Sequence, residues 1–286
     1  MSLSVKASSD SVADAATATS SSEPNESSDG VTNTPPADSI PPFPQVQVSE
    51  QPWGLVVGVN GNYAYWAIKR VIDIIGAIFA LIILAPLFAL VAIAIKLDSP
   101  GPVFFVQSRM GAHPLHNLRK KDGPLYWEVR SFPMYKFRSM RADADESLHI
   151  QRIKEYAADI NAEDPDGELH TKLIDDPRIT RVGKIIRKTS IDELPQLINV
   201  LRGEMSLIGP RPVPNYERYQ YEPWHRDRLA TLPGLTGLYQ VLGRGRMSFD
   251  EGIELDLKYI SEQNLWLDIK IVALTIPAIL SGKGAG

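Results

Sequence analysis

A chain of 286 residues, 44% hydrophobic and 22% charged, is long enough for one sizeable domain with appendages or for two small domains. Its formal charge of −4 lacks the Lys and Arg excess that neutralising many phosphates demands, so no nucleic acid partner is expected. The absence of cysteine excludes disulfides, thiolate zinc sites and a thiol nucleophile, and leaves burial, in water or in lipid, to hold the fold together.

Residues 1–55 form the first predicted segment. The first fifty are rich in Ser, Ala, Thr, Asp and Pro, with Lys6 their only basic residue and Phe43 their only aromatic. So little apolar surface cannot offset the entropy of ordering, which predicts a disordered acidic tail. No basic start followed by a short apolar run is present, so the tail is expected to stay in the cytoplasm rather than to serve as a signal peptide.

The second segment, 63–98, holds 22 uncharged residues from Ile74 to Ile95, and about 20 suffice to cross a bilayer as a helix. A soluble core helix seldom lacks a polar face for six turns. Tyr63, Tyr65 and Trp66, followed by Lys69 and Arg70, have the composition of an interfacial anchor. Pro86, near the middle, removes a backbone N–H and kinks the helix. Basic residues flank both ends, Lys69 and Arg70 before and Lys96, Arg109, Arg119, Lys120 and Lys121 after, so the positive-inside bias selects no single orientation. A helix that breaks at Pro86 and returns to the side it entered satisfies both flanks, and a kinked ordinary span is the alternative.

Residues 99–286 have the mixed polarity of a water-facing domain. "MYKFRSM" (134–140) alternates as a strand does, with Tyr135 and Phe137 on one face and Lys136 and Arg138 on the other. Residues 143–175 are acidic and expected to be helical, with a loop at "EDPDGE". Arg181, Lys184 and Lys188 then share a helical face, with Arg187 beside it and Val182, Ile185 and Ile186 opposite. Such a helix suits anionic lipid or a phosphate. Leu194, Leu197, Ile198 and Leu201 mark a further amphipathic helix. "SLIGPRPVP" and "LPGLTGLYQVLGRGR" predict loops and a short strand. "LWLDIKIVALTIPAIL" is apolar but interrupted by Asp268, Lys270 and Pro277, as in an interfacial or packing helix.

Chemistry concentrates at "SIDELPQL" (190–197). Ser190 and Glu193 have the spacing of a capping box, and acids in a first turn complement the helix dipole, so Asp192 and Glu193 admit a purely structural role. Lys136, Arg138, the basic face at 181–188 and Arg211, held between two prolines, offer groups suited to phosphate oxygens. Singly each is an ordinary surface charge. Together, beside an acidic pair and a membrane segment, they point to phosphoryl transfer at a bilayer surface. A carboxylate nucleophile is chemically sound. Pyrophosphate substrates bring Mg2+, held by one or two carboxylates plus phosphate oxygens, and Asp192 and Glu193 can supply those carboxylates. The five histidines form no zinc motif, and neither a phosphate-binding P-loop nor a G-x-S-x-G elbow is present.

The segments "KRVID", "SPGPVFFVQSRMG", "YKFRSM", "DPRITRVGKIIRKTSIDELPQLINVLRGEMSLIGPRP", "PGLTGLYQVLGR" and "LDLKYI", in this order from Lys69 onward, resemble the bacterial sugar transferases, monotopic phosphoglycosyl transferases that prime surface polysaccharides on undecaprenyl phosphate. The resemblance implies an α+β, mainly helical, membrane-associated domain with a re-entrant helix broken at Pro86, amphipathic interfacial helices and a small β element. Both ends of the helix would face the cytoplasm, at the inner membrane. It implies Asp192 as nucleophile, Glu193 as its dyad partner, Lys136, Arg187 and Arg211 as substrate-binding cations, and lesser roles for Gln240, Arg244 and Asp256. The donor would be a UDP-sugar, the acceptor undecaprenyl phosphate and the cofactor Mg2+. Residues 112–132 are longer and more basic than the link usual before the "YKF" strand. Tyr239 stands where many relatives carry Trp. The sequence names no sugar and sets no oligomeric state, a homodimer being compatible. A membrane-anchored scaffold without activity is the reading from a different class.

Overall fold

The computed structural model describes residues 55–58, 63–115, 125–142, 176–243 and 247–280, with a few positions between 147 and 154. The acidic tail, most of the 143–175 stretch and Arg244 lie outside the described residues. In chain order the elements are β1 (Leu55–Gly58), α1 (Tyr63–Asp98), β2 (Phe104–Leu115), β3 (Leu125–Phe137), α2 (Arg181–Lys188), a 3-10 turn (Ile191–Gln196), α3 (Leu197–Arg202), β4 (Ser206–Ile208) and β5 (Val213–Pro214). After two further 3-10 turns come β6 (Gly234–Thr236), α4 (Leu238–Leu242), α5 (Phe249–Glu262) and α6 (Leu265–Leu280).

The described residues are mostly helical, with a four-stranded antiparallel sheet in the order β1-β3-β2-β5 and a parallel pair, β4 and β6. β2 and β3 form a long hairpin that pairs Phe104 with Phe137 at one end and Leu115 with Tyr126 at the other. Much of the expected link at 112–132 is therefore strand. Gly111, Pro114 and Pro133 hide it, because they break the alternation by which a strand is recognised.

α1 remains helical through Pro86 and, among the described residues, is the one helix long and apolar enough to cross a membrane. At 1.5 Å per residue its 36 residues run about 54 Å, more than a bilayer's hydrocarbon core of about 30 Å. One side is exposed and apolar, including Ile75, Phe79, Ile82, Leu90 and Ile93. The opposite side packs on the body from end to end. Ala77 meets Phe132, Met134 and Val200 in one cluster, and Val91 and Ile95 meet Phe137 and Ile186 in another.

The helix start is clamped by polar groups. Lys69 Nζ lies 2.9 Å from Asp268 Oδ2 of α6, and both side chains are buried. The hydroxyls of Tyr65 and Tyr259 donate to the same carboxylate at 3.2 and 2.8 Å. Arg70 donates to the carbonyls of Val200 and Leu201 at the end of α3, and Asp73 Oδ1 accepts from the Leu207 backbone. The expected interfacial anchor is thus an internal clamp for Tyr65, Lys69 and Arg70, and Trp66 packs edge-on against Trp127 at 5.0 Å. Residue type alone does not tell which face of a helix docks. α6 matches its expectation as a packing helix, burying Asp268 and Ile271 while Trp266, Ile269 and Ile276 stay exposed.

Candidate active site

α2 begins at Thr180, whose hydroxyl accepts from the Gly183 N–H, while Asp98 at the end of α1 accepts from the Val182 N–H. Gly183 has to be glycine, since a Cβ there would come within 1.9 Å of the Ser139 carbonyl oxygen. Gly183 and Ile186 are buried, but Ile185 is 64% exposed, so the expected apolar face is only partly used for packing.

After α2 the chain reverses at Ser190, whose φ of 56° is the only positive value of a non-glycine among the described residues. Left-handed backbone at such a residue is strained and recurs at functional sites. The turn sets Asp192 and Glu193 in the 3-10 segment, ahead of α3 rather than in its first turn. The capping box does not form: Ser190 makes no side-chain capping bond, and only its backbone oxygen accepts from the Glu193 N–H, at 3.2 Å. The capping role expected of Glu193 is therefore not taken up, although both acids lie in the first turn of the 3-10 segment.

Glu193 points instead at cations. Its Oε1 receives Lys136 Nζ, from the end of β3, at 3.0 Å and Arg211 Nη2, from the Pro210-Arg211-Pro212 link, at 3.3 Å. Asn199 fixes this register. Its amide donates to the Pro133 carbonyl at 2.7 Å and its carbonyl accepts from the Tyr135 N–H at 3.1 Å, tying α3 to the strand that carries Lys136. Burial lowers the Lys136 ammonium from its ordinary range against the opposing pull of Glu193. Arg211 shifts up, chiefly because of the Glu193 carboxylate.

Asp192 is 9% exposed. A carboxylate at the start of a helical segment is ordinarily solvated, and the structure buries this one. Burial pushes its pKa up to about 6, with the Glu193 charge adding to the rise and Lys136, Arg187 and Arg211 opposing it. Above that value the carboxylate is ionised while poorly hydrated, with Lys136, Arg187 and Arg211 the positive charges that act on it.

Arg138 does not join this cluster. It is buried, and its guanidinium donates to the carbonyls of Ser99 and Pro100 at 2.6 and 2.8 Å and to Ser99 Oγ at 3.0 Å, satisfying the chain end of α1. The strand ends at Phe137, so the alternation that pairs Lys136 with Arg138 stops before it reaches the second residue. Gln240, on α4, lines the same pocket as Lys136, Glu193 and Arg211. Asp256, on α5, is held in a separate buried network. Arg228 Nε donates to it at 2.7 Å, and the same guanidinium donates to Glu217 at 3.1 Å and to the Tyr221 hydroxyl at 2.9 Å.

One pocket residue escapes sequence reasoning. Arg109 of β2 is 7% exposed, and burial with the neighbouring Arg211 charge lowers its pKa to about 10. Nothing in "FFVQSRMG" marks it as inward-facing, since Phe104, Phe105 and Val106 of the same strand are exposed. Counted as a flank of the membrane segment, it passes for an ordinary surface charge.

Among the described residues no three His, Cys, Asp or Glu side chains gather as a metal cage. Asp192 and Glu193 are the carboxylates that would share an Mg2+ with a bound diphosphate, although Glu193 Oε1 already pairs with Lys136 and Arg211.

The family model described as Bacterial sugar transferase matches residues 64–282. The chain is 43% identical over 226 residues to the galactosyl transferase CpsE of Streptococcus agalactiae, an overlap of 78% of this chain and 44% of that protein. Identity is 38% over 217 residues with the exopolysaccharide production protein ExoY of Sinorhizobium fredii, covering 76% and 87% of the two chains. It is also 38% over 231 residues with the UDP-glucose:undecaprenyl-phosphate glucose-1-phosphate transferase of Caulobacter vibrioides, covering 76% and 71%. The matched span takes in α1, the acidic pair and every described cation around it, and the chain belongs to the bacterial sugar transferase family.

Proposed function

We propose that the protein transfers a hexose 1-phosphate from a UDP-sugar to undecaprenyl phosphate at the cytoplasmic face of the bacterial inner membrane. The observation that carries this reading is the buried carboxylate of Asp192 among Lys136, Arg187 and Arg211, on a body lined by an apolar helix. A phosphoryl-transfer site needs alignment and neutralised charge more than acid–base work.

An Asp192 carboxylate oxygen bonds to the sugar-bearing phosphorus as the bond to the bridging oxygen breaks, and UMP leaves with that oxygen and its electron pair. Lys136, Arg187 and Arg211 balance the charge on the phosphoryl oxygens. Glu193 holds Lys136 and Arg211 in place. An oxygen of undecaprenyl phosphate then attacks the same phosphorus, giving the undecaprenyl diphosphate sugar and freeing Asp192. Asp192 and Glu193 would hold Mg2+, which supplies further neutralisation of the diphosphate. To leave the bilayer on the side it entered, α1 would bend at Pro86, whose ring removes a backbone N–H. The reading is supported by its first turns, through Trp66 and Lys69, and its last, through Val91 and Ile95, packing on one body.

Purified protein given UDP-sugars, Mg2+ and undecaprenyl phosphate is expected to release UMP and form lipid-linked sugar, with activity abolished in Asp192→Asn. A scaffold yields no UMP, and a lipid-diphosphate hydrolase yields free phosphate.

A further inference from the structure

β4 is a strand of three residues, paired with β6 through Ser206 and Ile208. The N–H of its middle residue, Leu207, lies outside that pairing and is taken by Asp73 Oδ1 of α1 at 2.9 Å. Asp73 is buried, in the last polar turn before the uncharged run of the membrane helix. Gly76, about one turn further along, brings α1 against the same residue, since a Cβ there would come within 2.8 Å of Leu207 Cδ1. The helix thus meets β4 at one residue through both a hydrogen bond and a close contact. A carboxylate acceptor makes that bond about twice as strong as a neutral one would.

From β4 the chain reaches Arg211 through Gly209 and Pro210, and this link has little play. The Gly209 N–H donates to the Thr236 carbonyl at 2.9 Å, and the Pro210 carbonyl accepts from the Gly234 N–H at 2.7 Å. The two backbones are so close that a Cβ on Gly234 would come within 2.1 Å of the Gly209 nitrogen. Pro210 and Pro212 restrict the backbone on either side of Arg211. A shift of β4 is therefore passed on to Arg211 rather than absorbed in between. The Arg211 guanidinium ends 3.3 Å from Glu193 Oε1, beside the Asp192 carboxylate on which its charge acts. Resting on the transferase reading above, we propose that Asp73 is a positioning residue, which from the membrane helix sets β4, and through it Arg211, against the donor phosphate. Seating of α1 and the geometry of the reaction site are then coupled through one hydrogen bond.

The test follows UMP release by the full chain from UDP-glucose and UDP-galactose with Mg2+ and undecaprenyl phosphate, well below the Tm of each variant. Asp73→Leu, which removes the acceptor at similar volume, is expected to lower kcat/KM by about ten-fold, because a small misplacement of a charge-balancing group suffices for such a loss. Asp73→Asn keeps a side-chain oxygen at the same reach and should retain most of the activity. Coupling to Arg211 separates positioning from a general loss of stability. Once Arg211→Ala has removed the guanidinium, Asp73→Leu should cost little more, whereas independent effects multiply. Should Asp73→Leu not fold, Asp73→Ser, too short to reach the Leu207 N–H, is expected to show the same loss and the same coupling. The inference is overturned if loss of the acceptor leaves turnover at the wild-type level, if Asp73→Asn loses as much as Asp73→Leu, or if the losses at 73 and 211 multiply. No UMP from either donor with the wild type would instead overturn the transferase reading, and this inference with it.

Discussion

Asp192 illustrates how a site is poised by its surroundings. Its pKa stands near 6 rather than the ordinary 3.8 because burial outweighs three nearby cations. The folded protein thus holds this proton more tightly than the unfolded chain, and between those two values stability falls as pH rises. Asp192→Asn is expected to raise Tm while abolishing UMP release, and a lowered Tm would contradict this account. Turnover should follow the ionised carboxylate, with kcat/KM climbing through pH 6 to a plateau above 7. A profile flat from pH 5 to 8 would exclude Asp192 as the group that has to lose a proton. Much of this was legible beforehand. Asp192, Glu193, Lys136 and Arg211 are marked by charge type and by family resemblance. The burial of Asp192 and the inward placement of Arg109 were not, because no local pattern reports how deep a side chain sits.

At the scale of elements, the clamp between α1 and α6 positions the membrane helix. The buried pair of Lys69 and Asp268 also receives two tyrosine hydroxyls. Removing one partner leaves an uncompensated buried charge, a loss of about 3–5 kcal/mol. Asp268→Ala should therefore lower Tm sharply, and Lys69→Met combined with Asp268→Leu should recover part of the loss. Equal Tm values for the single and double variants would refute a clamp held by charge pairing. The bounds of α1 follow from its uncharged run. Its polar start misleads, since Tyr65, Lys69 and Arg70 have the composition of an interfacial anchor yet face inward. The β2–β3 hairpin was illegible for the opposite reason, its pairing register being set by partners distant in sequence while Gly111, Pro114 and Pro133 obscure the local period.

Over the whole molecule, one body carries both ends of an apolar helix and a cationic pocket beside it. That arrangement suits a reaction between a water-soluble nucleotide sugar and a lipid-borne phosphate, which can meet only at an interface. Single cysteines introduced before Tyr63 and after Ser99 into the cysteine-free chain should be labelled from the same face of the membrane. Labelling from opposite faces would refute the re-entrant path. The mechanism turns on the carboxylate of Asp192 itself bonding to phosphorus. Mass spectrometry of the protein incubated with UDP-sugar alone tests it most directly. A sugar-phosphate adduct on the peptide containing Asp192, absent from Asp192→Asn, is the predicted result. UMP release without any adduct at that residue would contradict it.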